Sequence, residues 1–156
     1  MKDNATNAGG RLPAGRLVFL LLFLLLACAG CGGRKPEGQE TVVSVYYINK
    51  EETRISPVER ALEGEETQER VGEVLEALRE NPVEMALRSP VSGFEIQSWK
   101  LKEAQLSLDV SEDYKKMSAT AEVLVRAALV RSLTQIPGVS HVEMTVNGEA
   151  LTDSLG

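Results

Sequence analysis

An uncharged apolar run near the N-terminus limits what the start of this chain can become. The run extends from Leu17 to Ala27, and Arg11 and Arg16 precede it. It is shorter than the roughly 20 residues that a helix needs to cross a bilayer. A positively charged flank followed by a short apolar core is the layout of a secretory signal. The sequence therefore predicts that residues 1–30 form an export signal and that the folded part of the chain follows them.

Both cysteines of the chain, Cys28 and Cys31, stand directly after this run. The ending resembles the lipobox of bacterial prolipoproteins, in which lipid is joined to a cysteine thiol before cleavage on its N-terminal side. Two registers fit, because Leu25-Leu26-Ala27 precedes Cys28 and Ala29-Gly30 precedes Cys31. The leucine three places before Cys28 favours the first register. The resemblance implies a cysteine that carries diacylglycerol and acyl chains, and no other cofactor is expected.

Two other interpretations of this segment stay open. The first is an uncleaved N-terminal helix that anchors the domain, which the short apolar length disfavours. The second is a redox pair, because the cysteines have the C-x-x-C spacing, but a redox pair is expected at a strand-to-helix turn within a folded domain. No cysteine follows Cys31, so the domain is expected to contain no disulfide and no thiolate metal site.

Charge is divided unevenly along the chain. After residue 30 the sequence has 14 basic and 22 acidic side chains, a formal net charge of −8. Phosphate backbones and anionic lipid headgroups repel such a surface, and no run of Lys and Arg offsets it. The sequence therefore predicts no nucleic-acid partner.

A short segment without large apolar residues separates the leader from the rest. Residues 31–41 are rich in Gly, Pro and charge, and cannot bury enough surface to offset chain entropy. We interpret them as a flexible tether with a reach of about 15–20 Å. One domain is predicted over residues 42–152, followed by a tail at 153–156.

The first half of the domain shows a strand and a helix. Alternation of apolar and polar residues predicts a strand over Thr41–Ile48, followed by a polar turn over 49–54. Apolar residues at helical spacing from Val71 to Leu78 predict a helix that begins near Thr67. The dipeptide Asn81-Pro82 ends it.

The second half repeats this pattern with two strands first. Strands are predicted over Phe94–Leu101 and Gln105–Val110, joined by a tight turn at Lys102-Glu103. Ser118 caps a long helix to Gln135, and a last strand covers Val139–Val146. The order β-α-β-β-α-β favours an α+β fold in which two helices pack on one face of a mainly antiparallel sheet.

These segments resemble the GerMN domain of bacterial sporulation and spore-germination lipoproteins. The similarity covers roughly Val43 to Leu151. It rests on Val45-Tyr46-Tyr47-Ile48, Val71-Gly72-Glu73-Val74-Leu75-Glu76-Ala77-Leu78, Ser89-Pro90-Val91-Ser92-Gly93, Leu106-Ser107-Leu108-Asp109-Val110-Ser111 and Ser132-Leu133-Thr134-Gln135-Ile136-Pro137-Gly138-Val139. Where the family commonly has Gly-Pro this chain has Asn81-Pro82, and we expect Asn to keep the turn because it tolerates the left-handed conformation.

The resemblance implies a domain similar to ring-building modules and a membrane-tethered, extracytoplasmic accessory protein of spore formation or germination. Its expected partners are the membrane, through the lipid, and envelope or sporulation-complex proteins. Fold alone does not fix function.

Residues capable of catalysis are few. The domain has one histidine, His141, and no HExxH motif or Gly-rich phosphate loop, so no metal site and no enzyme activity are expected. Asp109 with Glu112 and Asp113 could form an acid pair or a calcium site, but their spacing does not match a calcium loop, and a solvated loop beside a helix start is the favoured interpretation. The acidic run Glu59, Glu63, Glu65, Glu66 and Glu69 is interpreted as a solvated surface, with docking of a basic partner as the alternative.

The leading hypothesis is therefore a non-catalytic interaction module. Its candidate partner surface is a sheet edge or the polar side of two strands, which carries Gln105, Ser107, Glu143 and Thr145. A peptidoglycan-binding lipoprotein is the alternative, although few aromatic residues are present to stack on sugars. A wall hydrolase with paired carboxylates ranks third.

Overall fold

The computed structural model describes residues 41–151. The predicted export signal (1–30) with Cys28 and Cys31, the predicted tether apart from its last residue, and the predicted tail (153–156) lie outside the described residues. Within residues 41–151, no helix is both long and apolar enough to span a bilayer.

Seven strands and two α-helices make up the described part of the chain, and their order extends the predicted one. The strands are β1 Thr41–Asn49, β2 Ile55–Leu62, β3 Leu87–Arg88, β4 Ile96–Lys102, β5 Gln105–Val110, β6 His141–Val146 and β7 Glu149–Ala150. The helices are α1 Thr67–Arg79 and α2 Ala119–Leu133, and a short 3₁₀ helix covers Glu112–Lys116.

The α+β class and each element predicted from periodicity are confirmed, but the strands divide into two sheets where the sequence predicted one. The first sheet has the order β2-β1-β3, and the second has the order β4-β5-β6-β7. All pairings are antiparallel except β5 with β6. That parallel pair follows from the chain path, because α2 lies in the crossover that parallel strands require.

Strand β2 was not predicted, because its sequence contains Pro57. Residue Pro57 pairs with Tyr46, whose backbone N–H points away from β2 and donates to Ser132 Oγ at 2.8 Å. In an antiparallel ladder, the backbone nitrogen of Pro57 then points away from β1, to the unpaired edge of β2. A proline is tolerated there because its missing N–H would form no hydrogen bond with β1.

Side chains from the end of α2 cover the part of β1 that has no strand on its second side. The buried Ser132 accepts from Tyr46 and donates to the Ala128 carbonyl at 2.7 Å. The Gln135 amide brackets Ser44: its oxygen accepts from the Ser44 N–H at 3.0 Å, and its nitrogen donates to the Ser44 carbonyl at 2.7 Å. These contacts satisfy backbone groups of β1 that would otherwise lack a partner.

Both helices begin with side-chain caps, of which the Ser118 cap of α2 was predicted and the cap of α1 was not. Glu66 and Glu69 form a reciprocal capping box at the start of α1, and Ser118 Oγ accepts from Ala121 N at 3.2 Å in α2. After α1, the left-handed conformation expected at Asn81 is not observed, since its φ angle is not positive. Its side-chain oxygen accepts a hydrogen bond from Ser89 N at 3.1 Å. The turn is kept by this hydrogen bond instead.

One apolar core joins the two sheets and the helices. Phe94 and Tyr114 meet edge to face in it, with ring centroids 5.2 Å apart. Its largest fully buried side chains are Tyr47, Ile48, Leu75, Leu78, Leu106, Leu108, Leu129, Leu133 and Ile136.

Two buried tyrosines make the stability of this core dependent on pH. Burial raises the pKa of Tyr47 and Tyr114 above 10.0. The unfolded chain therefore ionises first as pH rises, and binds fewer protons than the folded chain. We expect full stability below about pH 10 and a progressive loss as pH climbs through the raised pKa values.

Thermal unfolding between about pH 8 and pH 11 measures this loss. The variant Tyr47→Phe is the matched control, because it removes one titrating group together with the 2.8 Å hydrogen bond from Tyr47 Oη to the Ala77 carbonyl. It should be less stable at neutral pH and show a shallower decline. Equal slopes for both proteins would contradict the expectation.

Candidate functional site

The second sheet leaves one of its faces open to solvent, and this face is the candidate site. Residues that face each other in the register of β4, β5 and β6 put their side chains on the same side. We call this surface the polar face, and its side chains are exposed or half-buried. They are Ser98, Lys100 and Lys102 from β4, Gln105, Ser107 and Asp109 from β5, and His141, Glu143 and Thr145 from β6.

Glu143 is the centre of a hydrogen-bonded cluster on this face. The Gln105 amide donates to Glu143 Oε2 at 2.6 Å, and Ser107 Oγ donates to the same oxygen at 3.3 Å. Within the described residues, Glu143 Oε1 takes part in no hydrogen bond. The sequence predicted that these three side chains share a face, and the structure brings them together. One carboxylate oxygen of the cluster is left to accept from an incoming group.

Thr145 belongs to a second cluster, built around Asp109. The Thr145 hydroxyl and the Gly148 N–H both donate to Asp109 Oδ1 at 2.7 Å. Asn147 and Gly148 have φ angles of 48° and 79°, the left-handed pair that closes a tight hairpin. Asp109 therefore fixes the β6–β7 turn beside the polar face. Sequence reasoning considered Asp109 only as an acid or a calcium ligand, because the parallel register was not visible in it.

Charge on the polar face changes sign from one strand to the next. Lys100 faces Ser107 and Lys102 faces Gln105, while Glu143 lies on the far side of β5. Since adjacent strands are about 4.8 Å apart, the lysines and Glu143 stand about 10 Å from each other. Both lysines were missed from the sequence, because the strand was interpreted only for its apolar side and Lys102 was placed in the turn after it. A partner with charges of both signs at that separation would match this surface.

His141 stands at the edge of the polar face and is exposed. Its Nδ1 is 2.9 Å from the hydroxyl of Ser140, and that hydroxyl donates to the Ala104 carbonyl at 3.0 Å. A nucleophile–base pair needs the hydroxyl proton directed at the imidazole and a third group that orients the ring. Within residues 41–151, the hydrogen bonds of the His141 side chain include no third group that would orient the ring.

The other carboxylates near this face are paired one by one. Glu112 contacts Lys115 at 3.1 Å, and Asp113 contacts Lys116 at 2.6 Å. Across residues 41–151, no group of three or more His, Cys, Asp or Glu side chains is placed to hold a metal ion.

Part of the acidic run has a local structural use. Glu69 belongs to the capping box of α1, where it accepts from the N–H groups of Glu65 and Glu66 at 2.9 and 3.1 Å. Next to it, Glu73 accepts from the N–H groups of Glu63 and Gly64 at 2.9 and 2.6 Å. These bonds hold the turn between β2 and α1. Glu69 and Glu73 therefore have a structural role that requires no binding partner.

The aromatic residues Tyr46 and Trp99, which could stack on sugars, lie away from the polar face. The Tyr46 ring is covered by the Arg131 guanidinium, 4.6 Å from its centroid, and Trp99 packs half-buried against the core. A surface cavity of 430 Å³ lies beside α1 between Arg79 and Phe94, and a second of 320 Å³ lies between β2 and α1. Neither cavity includes a residue of the polar face.

A small α+β domain with an open polar sheet face is therefore the class that fold and site define. The family model described as Germane, sporulation and spore germination, matches residues 44–152. This chain belongs to that family. No curated protein sequence matches it significantly.

Solved GerMN domains have the same fold. The tandem GerMN domains of the sporulation protein GerM from Bacillus subtilis are 18% identical with a TM-score of 0.57, over 73% of this chain and 42% of that one. The first GerMN domain of the same protein is 19% identical with a TM-score of 0.51, over 71% of this chain and 86% of that one. This chain thus spans less than half of the tandem protein.

Proposed function

We propose that this protein is a lipid-anchored, extracytoplasmic accessory factor of sporulation or germination, and that its domain binds another envelope protein without catalysis. The observation that supports the proposal most directly is the polar face. Hydrogen bonds order its Glu143 and Asp109 clusters, it lies open on a sheet whose other side is core, and it carries charges of both signs. Preordered groups lose little conformational entropy on binding.

The membrane part of the proposal rests on the leader sequence. A short apolar core followed by Cys28 and Cys31 supports export and lipid attachment. Several acyl chains hold a protein on a membrane more firmly than one. Family membership supports sporulation or germination as the process.

The polar face is tested by reversing its charge. The double variant Ser107→Arg, Glu143→Lys replaces two residues that face each other in the β5–β6 register. We expect it to lose the envelope proteins that the wild-type protein recovers from sporulating cells by affinity capture, with recovery reduced about tenfold or more, since truncating or reversing a central contact costs over about 1.4 kcal/mol.

A matched control makes the same charge change elsewhere. Glu65 and Gln68 are exposed at the start of α1, so Glu65→Lys, Gln68→Arg alters net charge equally and leaves the polar face intact. Recovery of the same partners by both double variants would reject the polar face as the binding surface. Loss with the control alone would assign binding to the acidic run. Saturable binding of purified peptidoglycan fragments, lost in the polar-face variant, would instead favour the glycan-binding alternative.

A further inference from the structure

The exposed large apolar side chains of the domain lie mostly in two places. Val83 and Met85 are 95% and 83% exposed in the loop after α1. Val123 and Val130 are 66% and 39% exposed on α2. A single exposed apolar residue needs no explanation, whereas exposed apolar residues that form a contiguous patch mark an interaction surface.

The loop is held in a defined shape and forms a knob, residues 82–86. Before the knob, the Asn81 side chain accepts a hydrogen bond from Ser89 N, and at its end the Ala86 carbonyl accepts from Lys50 N at 3.0 Å. Leu87 N, directly after the knob, donates back to the Glu84 carbonyl at 2.9 Å. The knob therefore presents two apolar side chains with the Glu84 carboxylate between them, at little further entropic cost.

The second feature is an uncharged stripe along the outer side of α2. It consists of Thr120, Val123, Ala127 and Val130, at spacings of three, four and three residues. The opposite side of the helix is buried in the core. A helix that is apolar on both sides is typically covered on both. The described domain covers only one side of this helix.

We propose that the knob of one copy packs on the stripe of a second copy of this chain, with Glu84 facing Arg131. Arg131 borders the stripe and is held over the Tyr46 ring. Neither Glu84 nor Arg131 forms a salt bridge within the described residues. The charges are therefore opposite and both available, which favours correct docking.

Other ways to cover the stripe fit less well. Contact within one chain is excluded by the exposure of Val83 and Met85 in the folded domain. Packing of two α2 stripes against each other would bring Arg126 and Arg131 to the contact without an unpaired acid, because Glu122 already binds Arg126 at 2.6 Å. The knob supplies both apolar surface and the missing negative charge.

The contact is small, since a few residues on each side bury less than the roughly 1,200 Å² of stable complexes. Association in solution is accordingly weak and concentration-dependent. Attachment of both copies to one membrane raises their effective concentration. This effect rests on the proposed lipid anchor, but the contact between the knob and the stripe does not.

Sedimentation of the full chain in detergent, over a wide range of protein concentration, tests the proposal through charge exchange. We expect the wild-type protein to gain mass with concentration, and Glu84→Arg and Arg131→Glu each to weaken association about tenfold or more, through like-charge contact. An equal mixture of the two variants should regain it, because each knob then meets a stripe of opposite charge. The double variant should also regain it.

Matched controls are Glu149→Arg and Arg54→Glu, which change the same charges on exposed residues outside the knob and the stripe. Both should associate like the wild-type protein. Association unchanged by Glu84→Arg, or a mixture that stays monomeric, would overturn the proposal. Since Ser107→Arg, Glu143→Lys should leave self-association intact, failure of this contact and failure of the polar face are distinguishable.

Discussion

Replacing Leu108 with alanine is expected to lower the free energy of unfolding by about 2–5 kcal/mol. Leu108 is fully buried at the centre of β5, between Trp99 of β4 and Met144 of β6. Removing its side chain leaves a cavity between the second sheet and the helices, and the lining atoms lose their contacts. Because small domains are stable by only about 5–15 kcal/mol, the change removes a large share of the total.

The neighbouring residue gives the matched control. Ser107 points to the polar face, so Ser107→Ala should change the free energy of unfolding by no more than about 0.5 kcal/mol. Urea titration of both variants, with equal slopes, measures the difference. Equal destabilisation by the two would mean that the assignment of the faces of β5 is wrong.

This contrast between neighbours also shows what the sequence could predict. Strict alternation over Gln105–Val110 identified β5, its buried side and its polar side, because the side-chain period of a strand is two. The same reasoning placed Ser107 and Glu143 on one face. It could not find the hydrogen bonds that order them, because those depend on the parallel register of β5 and β6.

Strand β2 is an element that the periodicity of the sequence could not predict. Ile55–Leu62 pairs with β1 along its whole length, yet Pro57 and its charged residues hide this from a reading of periodicity. Its tolerance of proline depends on which edge of the strand is free, and that is a tertiary property. The division into two sheets was missed for the same reason.

The segment Ser132–Val139 carries much of the family resemblance, and the structure gives it a structural role. Ser132 and Gln135 complete the free side of β1. Gly138 has a φ of 94°, and a Cβ added there would lie 3.0 Å from Thr67 Oγ1, which donates to the Pro137 carbonyl at 2.9 Å. These residues therefore join α2, β1 and α1 and need no ligand. Functional differences between such domains are better sought on the polar face, the knob and the stripe.

Replacing both Cys28 and Cys31 with serine is expected to abolish lipid attachment, because a thioether cannot form without the thiol. Since lipid is joined before cleavage, the unlipidated precursor should also keep its leader and migrate as a larger protein. Incorporation of labelled fatty acid measures the first effect and should fall to background, and gel mobility measures the second.

The single variants then separate the two registers. Leucine three places before Cys28 favours that residue as the lipid site, so Cys31→Ser should keep the label and Cys28→Ser should lose it. The reverse outcome would move the site to Cys31 and leave the anchor in place. Label retained by the double variant would contradict lipid attachment at either cysteine.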